Sequence, residues 1–331
     1  MNGACRAKRC YTHGCERGIL SDYTLTVAAF CFMIALDNTG IFKRKEASFM
    51  DNRPIGFFDS GPGGLTCIPY LMDALPRERI VYFGDTAGTP YGSKAVSTIR
   101  AFSFEISDFL IENDVKMIVI ACNTVSSVCI EELRKRHPKT PFLSVIDPAA
   151  RATAELCGPE DRIGVVGTKA TIRSNAYRNK ILNCNRELDI AQAACPALVP
   201  LIEEGIIEHE IMDLSIRYYL DGFISYNNID TLVLGCTHYP LIRRNIQKLY
   251  PGLRIVDPSR EILQSIRETL TREDMLAATA NAEHTFYASD LSENFVNMIR
   301  RIFESTNLNI VFKTVDTDTL RRGLKGERDG N

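Results

Sequence analysis

Two short runs place a cysteine, followed by polar residues, at the end of an apolar stretch. They are Val119-Ile120-Ala121-Cys122-Asn123-Thr124 and Val233-Leu234-Gly235-Cys236-Thr237-His238. A thiol at a strand end, with a helix starting after it, lies near the positive end of the helix dipole. That placement is expected to lower its pKa and favour thiolate. Asn123 and Thr124 beside one sulfur, and Thr237 and His238 beside the other, add polar side chains. Either cysteine alone reads most simply as packing; the recurrence singles out the two together.

Three chemistries use two opposed thiols. Disulfide redox calls for a Cys-x-x-Cys or adjacent pair. A metal site needs more ligands than two cysteines and one histidine, at other spacings. The third is stereoinversion at carbon: one thiolate removes a proton from one face of a stereocentre, and a thiol on the other face returns one. An amino-acid α-proton is far less acidic than a thiol, so such a site must exclude water and stabilise carbanion charge. Candidates for poising the sulfurs are Asp59, His238, and Glu203 in Pro200-Leu201-Ile202-Glu203-Glu204-Gly205. Glu203 reads equally well as a solvated carboxylate at a helix start. The turn Asp59-Ser60-Gly61-Pro62-Gly63-Gly64 could offer backbone N–H groups to an anion. Its spacing fits neither a Walker loop nor a dinucleotide fingerprint. Pro90-Tyr91-Gly92-Ser93 reads as a second turn.

The elements that must hold these residues follow an alternating pattern. Ile55–Phe58, Ile80–Phe83, Met117–Ile120, Phe142–Ile146, Ile163–Val166, Leu232–Leu234 and Arg254–Val256 read as buried strands. Thr98–Asn113, Ser126–Arg136, Glu208–Tyr219 and Arg260–Leu270 read as helices. This alternation predicts an α/β fold with mainly parallel sheets. The pattern also repeats. Residues 53–60 resemble residues 161–168, and the two cysteine runs recur in the same order at nearly the same offset. The repeat predicts two pseudo-symmetric α/β lobes, with one cysteine from each facing a cleft between them. In open α/β sheets, ligands bind at the carboxyl ends of strands.

Composition sets the outer limits. The chain has 331 residues, 45% hydrophobic and 24% charged, with 39 Lys+Arg against 41 Asp+Glu. Disordered, fibrous and multi-span membrane classes are excluded, and nothing advertises a nucleic-acid or membrane partner. Eleven cysteines, an odd number widely spread, suit free thiols in a reducing compartment better than a disulfide framework. Cys67, Cys129, Cys157, Cys184 and Cys195 read as filler. Residues 1–49 are atypical: basic, with Cys5, Cys10, His13 and Cys15 at no common zinc spacing and an apolar run Leu25–Leu36 that makes a poor signal peptide. The expectation there is a disordered extension, or a start-site artefact upstream of Met50.

Taken together, Asp59-Ser60-Gly61-Pro62-Gly63-Gly64-Leu65-Thr66, Pro90-Tyr91-Gly92, Ala121-Cys122-Asn123-Thr124, Gly167-Thr168-Lys169-Ala170-Thr171 and Leu234-Gly235-Cys236-Thr237-His238-Tyr239-Pro240 resemble the glutamate racemases. The likeness runs from about residue 53 to 315, including Val256-Asp257-Pro258-Ser259 and a late strand at His284-Thr285-Phe286-Tyr287. It implies a racemase of L- and D-glutamate that uses no cofactor and no metal, supplying D-glutamate for peptidoglycan in the cytoplasm. By motif, Cys122 acts on the D-enantiomer, assisted by Asp59. Cys236 acts on the L-enantiomer, assisted by Glu203 and His238. Substrate contacts are implied at Asp59, Ser60, Tyr91, Gly92, Asn123, Thr124, Thr168, Thr237 and His238. The resemblance also implies a homodimer and a discontinuous first lobe: 50–147 plus 258–320, with 148–257 as the second lobe and 321–331 as a polar tail. The rivals are an aspartate racemase, another member of the superfamily such as a one-cysteine decarboxylase or isomerase, and a two-lobed amino-acid-binding protein without activity.

Overall fold

Ten strands, each parallel to its neighbours, form two sheets in the computed structural model, which describes residues 50–278, 283–303 and 309–316. The expectations for residues 1–49 and for the 321–331 tail lie outside the described residues. In chain order the strands are β1 (Ile55–Asp59), β2 (Ile80–Gly84), β3 (Met117–Ile120), β4 (Phe142–Ser144), β5 (Arg162–Gly167), β6 (Asp189–Ala194), β7 (Thr231–Gly235), β8 (Arg254–Val256), β9 (His284–Ala288) and β10 (Ile310–Thr314). The first sheet has the order β10-β9-β2-β1-β3-β4 and the second β6-β5-β7-β8. Without β9 and β10 the first order, β2-β1-β3-β4, is the order of the second. The internal repeat is therefore a repeat of topology, and Cys122 after β3 is the counterpart of Cys236 after β7.

The apolar runs form strands because both faces of each sheet are covered. Alternate residues of the first sheet feed opposite cores: Ile55, Phe57 and Val119 one, Phe58, Ile118 and Ile120 the other. In the second sheet Ile163, Val165 and Val233 face one core, and Val166, Leu232 and Leu234 the other. The Ile-Gly step shared by the two repeats has a packing reason. A Cβ on Gly164 would lie 2.8 Å from the Phe223 ring, and one on Gly56 would lie 3.2 Å from Val115.

Several expectations are corrected. The run Phe142–Ile146 ends as a strand at Ser144, because Ile146 opens the helix Ile146–Leu156 and its N–H donates to the Ser144 hydroxyl at 3.1 Å. The helix expected over Ser126–Arg136 is two, Asn123–Val128 and Ile130–Arg136, broken at Cys129. The expected helices near 208 and 260 are longer, Glu210–Asn227 and Pro258–Arg272. Each has a side-chain cap, from His209 and Asp257 respectively. Cys67, Cys129, Cys157 and Cys195 are buried, as packing residues should be, but Cys184 is exposed at the end of the helix Ala176–Cys184. Among the described residues no helix is long and apolar enough to cross a membrane.

At the end of the first sheet away from the cysteines, Lys116 is buried and fully engaged. Its Nζ lies 2.6 Å from Glu78 Oε2 and donates to the carbonyls of Asp51 at 2.8 Å and Met275 at 2.7 Å. Glu78 Oε1 accepts the Ala277 N–H at 2.9 Å. This buried pair ties the strand entrances to the segment that leads into β9. Lys116→Met strands the carboxylate and should cost about 3–5 kcal/mol, whereas Lys116→Met with Glu78→Gln should recover part of the loss. Urea unfolding of the three proteins checks this; a single variant within experimental error of the parent would contradict it.

Candidate active site

The carboxyl ends of β1, β3, β5 and β7 converge on one cavity of about 310 Å³, mouth included, between the two sheets. The first lobe contributes Ser60 after β1, the turn with Tyr91 and Gly92, and Cys122, Asn123 and Thr124 after β3. The second contributes Thr168 after β5 and Cys236, Thr237 and His238 after β7. Both sulfurs thus line the same small space, one from each repeat.

Lobes approach so closely here that two glycines are required. A Cβ on Gly63 would lie 2.5 Å from Thr237 Oγ1 and 2.6 Å from His238 Nδ1. One on Gly92 would lie 2.4 Å from Thr168 Cβ. Hydroxyls close the seam. Thr124 Oγ1 lies 3.0 Å from Thr168 Oγ1 and 3.4 Å from Thr171 Oγ1, and the two second-lobe hydroxyls are 3.1 Å apart. Tyr177 donates its hydroxyl to Asn123 Oδ1 at 2.5 Å, leaving the Asn123 amide N–H groups to donate elsewhere.

The two sulfurs have different surroundings. Cys122 Sγ donates to Ser60 Oγ at 3.4 Å. Burial drives its pKa far above the ordinary thiol value, the Asp59 charge adds to that, and the Ser60 hydroxyl offsets part of it. The expected lowering by the helix dipole is therefore overturned at Cys122. The helix after it, Asn123–Val128, has six residues, too short a dipole to outweigh desolvation. After Cys236 no α-helix starts directly; a 3-10 turn, Tyr239–Ile242, precedes the helix Arg243–Leu249.

Cys236 Sγ lies 3.9 Å from His238 Nδ1, and His238 Nε2 lies 3.0 Å from Glu203 Oε1. Burial alone would push the His238 pKa down, but hydrogen bonds to Cys236 and Glu203 and their charges outweigh it and raise it to about 10. The imidazolium so favoured sits between the Cys236 sulfur and the Glu203 carboxylate.

Asp59 and Glu203 stand one layer behind the cavity wall. Asp59 is wholly buried at the end of β1, accepts the Gly64 N–H at 2.8 Å, and has the Thr237 hydroxyl 3.5 Å from each carboxylate oxygen. Burial raises its pKa, against the His238 charge and the Gly64, Ser60 and Gly61 N–H groups. Asp59, expected at the substrate, is therefore not among the lining residues. Glu203 ends the helix Leu198–Glu203 and also accepts the Thr89 hydroxyl at 3.3 Å. Tyr91 lines the cavity, with its hydroxyl given to Asp85 Oδ2 at 2.7 Å. Thr89 and Val199 are lining residues that sequence reasoning missed.

A duplicated α/β chain with one sulfur from each repeat in a single interlobe cavity is the class that fold and site define. The sequence model of the Asp/Glu/Hydantoin racemase family matches residues 68–266. A glutamate racemase of Geobacter metallireducens is 41% identical over 75% of this chain and 92% of its own length. One of Neisseria meningitidis is 42% identical over 77% of this chain and 94% of its own. The crystal structure of the Francisella tularensis glutamate racemase in complex with D-glutamate superposes with a TM-score of 0.76 at 36% identity. It covers 82% of this chain and 100% of that one. The chain belongs to the Asp/Glu/Hydantoin racemase family.

The raised His238 pKa makes a stability prediction. Because the folded value is about 10 against 6.5 for a free histidine, the imidazolium's contribution is fully present below pH 6.5 and is lost as pH rises through 10. The stability gap between the parent and His238→Asn should be widest and level below pH 6.5, then shrink steadily towards pH 10 in urea titrations. A constant gap would mean that His238 is held neutral.

Proposed function

We propose that this chain interconverts L- and D-glutamate by two-base proton transfer between Cys236 and Cys122, without a cofactor. The observation that carries the reading is the pair of repeat-related sulfurs lining one cavity. From L-glutamate, the Cys236 thiolate takes the α-proton as the Cα–H bond breaks. The Cys122 thiol then gives its proton to the opposite face, leaving Cys122 as thiolate and Cys236 as thiol. The D-to-L direction exchanges the roles. The proton balance closes on the two sulfurs alone.

The unlike surroundings support the direction of this assignment. A thiol far above its usual pKa suits Cys122 as the acid for the L-enantiomer, while the His238 imidazolium, positioned by Glu203, pairs the charge of the Cys236 base. Asp59 acts behind Cys122 through its charge and through the Gly64 N–H. Ser60, Asn123, Thr124, Thr168, Thr237 and His238 offer polar groups, and Tyr91 and Gly92 shape the wall, around a substrate carboxylate or ammonium. Donors fixed in a water-poor cavity stabilise the carbanion as it forms. The lobes we assign are 50–147 plus 258–320, and 148–257. The family likeness further supports a cytoplasmic homodimer supplying D-glutamate to peptidoglycan.

Chiral chromatography after incubation with each enantiomer of glutamate and aspartate tests the substrate. Racemised glutamate is expected. Turnover of aspartate alone would make the chain an aspartate racemase, and glutamate affinity without turnover would make it a binding protein. Cys122→Ser and Cys236→Ser should each lower kcat by about 10²–10⁴-fold, the range for loss of one acid–base group. Cys157→Ser should keep it, since the buried Cys157 Sγ only meets Thr231 Oγ1 at 3.5 Å, a contact serine can reproduce. Parent-like racemisation by either cavity variant would sink the two-thiol scheme.

A further inference from the structure

Beside the reaction cavity, and sharing Gly92 with it, a wider groove of about 970 Å³ runs along the same seam. One bank is the first-lobe turn from Gly92 to Val96. The other is the second-lobe helix Lys169–Arg173 with Ser174. The charged lining is three cations and no carboxylate: Lys94 on the first bank, Lys169 and Arg173 on the second.

What sets these three apart is that they line one groove together, since among the described residues other cations, Arg178 and Arg186 included, also form no ion pair, while many are paired. Arg134 pairs with Glu131 and Asp147, Arg254 with Asp161 and Asp230, and Lys116 with Glu78. Among the described residues, none of Lys94, Lys169 and Arg173 has a carboxylate partner, and the contact made by Lys94 is with the Phe102 ring, 6.0 Å away. General basicity is not the cause, since the chain's net charge is −2. Like charges on opposite banks of a seam repel, and an anion between them turns that repulsion into a bridge. A concave surface lined by one sign of charge also concentrates counter-ions. Guanidinium and ammonium groups together recognise carboxylate or phosphate oxygens.

The geometry points to an anion-binding groove beside the reaction cavity, in which a small multivalent anion bridges Lys94 to Lys169 and Arg173. A polycarboxylate and an inorganic polyphosphate share the required chemistry. Lys94, Lys169 and Arg173 are not among the residues proposed for racemisation, so the inference stands without that reading.

Titration calorimetry on the full chain in low salt, with citrate and with inorganic pyrophosphate as probes, tests it. Binding of one anion per chain is expected, weakened by added NaCl. Binding of citrate only would identify a polycarboxylate site, and of pyrophosphate only a polyphosphate site. The triple variant Lys94→Met, Lys169→Met, Arg173→Met should bind at least about tenfold more weakly, and Lys94→Met alone about threefold, as expected for loss of close charge pairs. Arg186→Met, an exposed cation of the same lobe outside the groove, should bind as the parent does. No binding of either probe to the parent would overturn the proposal. So would an equal loss in Arg186→Met, or parent-like affinity in the triple variant.

Discussion

No side-chain carbon fits at Gly63 or Gly92, and the rest of the site depends on that closeness. Gly63 backs onto Thr237 and His238, and Gly92 onto Thr168. Each contact brings a first-lobe turn against a residue that follows a second-lobe strand. With the backbones this near, the space left at the seam is small, and both Cys122 and Cys236 open onto it. The threonine hydroxyls and the Tyr177–Asn123 bond then fix the seam with short side chains, without charge.

Within this near-symmetric frame the chemistry is not symmetric. Duplication supplies two sulfurs at equivalent strand ends, but the residues around them come from non-equivalent places. Cys122 meets the Ser60 hydroxyl and the Asp59 charge; Cys236 meets an imidazole held by a carboxylate on the helix Leu198–Glu203. A buried thiol with a carboxylate near it holds its proton, while a sulfur beside an imidazolium has its anionic form paired. In the proposed reaction from L-glutamate, Cys122 is the sulfur that gives a proton and Cys236 the one that takes it. In that proposal the protons are redistributed between the sulfurs before the next turnover in the same direction.

The parallel sheets and the repeat were legible because strands buried on both faces leave continuous apolar runs, and because the Ile-Gly step and the cysteine runs recur in order. The edge strands were less visible. β6, Asp189–Ala194, is rich in alanine, and β10, Ile310–Thr314, is half-exposed, so neither has a continuous buried face to betray it. The break at Cys129 and the exposure of Cys184 depend on how helices meet their sheets, which local pattern does not record. Motif positions identified most of the cavity wall. They do not record that Asp59 stands behind the residues lining the cavity, and they left Thr89 and Val199 unnoticed. The pKa of Cys122 was misread for a related reason: desolvation is a property of the assembled seam, and it exceeds the dipole of a six-residue helix.

The central claim is that two different sulfurs exchange protons with opposite faces of one α-carbon. Incubating L-glutamate with the protein in deuterated water, and analysing each enantiomer by mass spectrometry in the first few per cent of reaction, tests it most directly. Two bases predict that the D-glutamate formed carries one deuterium, while the L-glutamate that remains carries almost none. Deuterium entering both enantiomers at equal rates would mean a single base serving both faces, and would contradict the account.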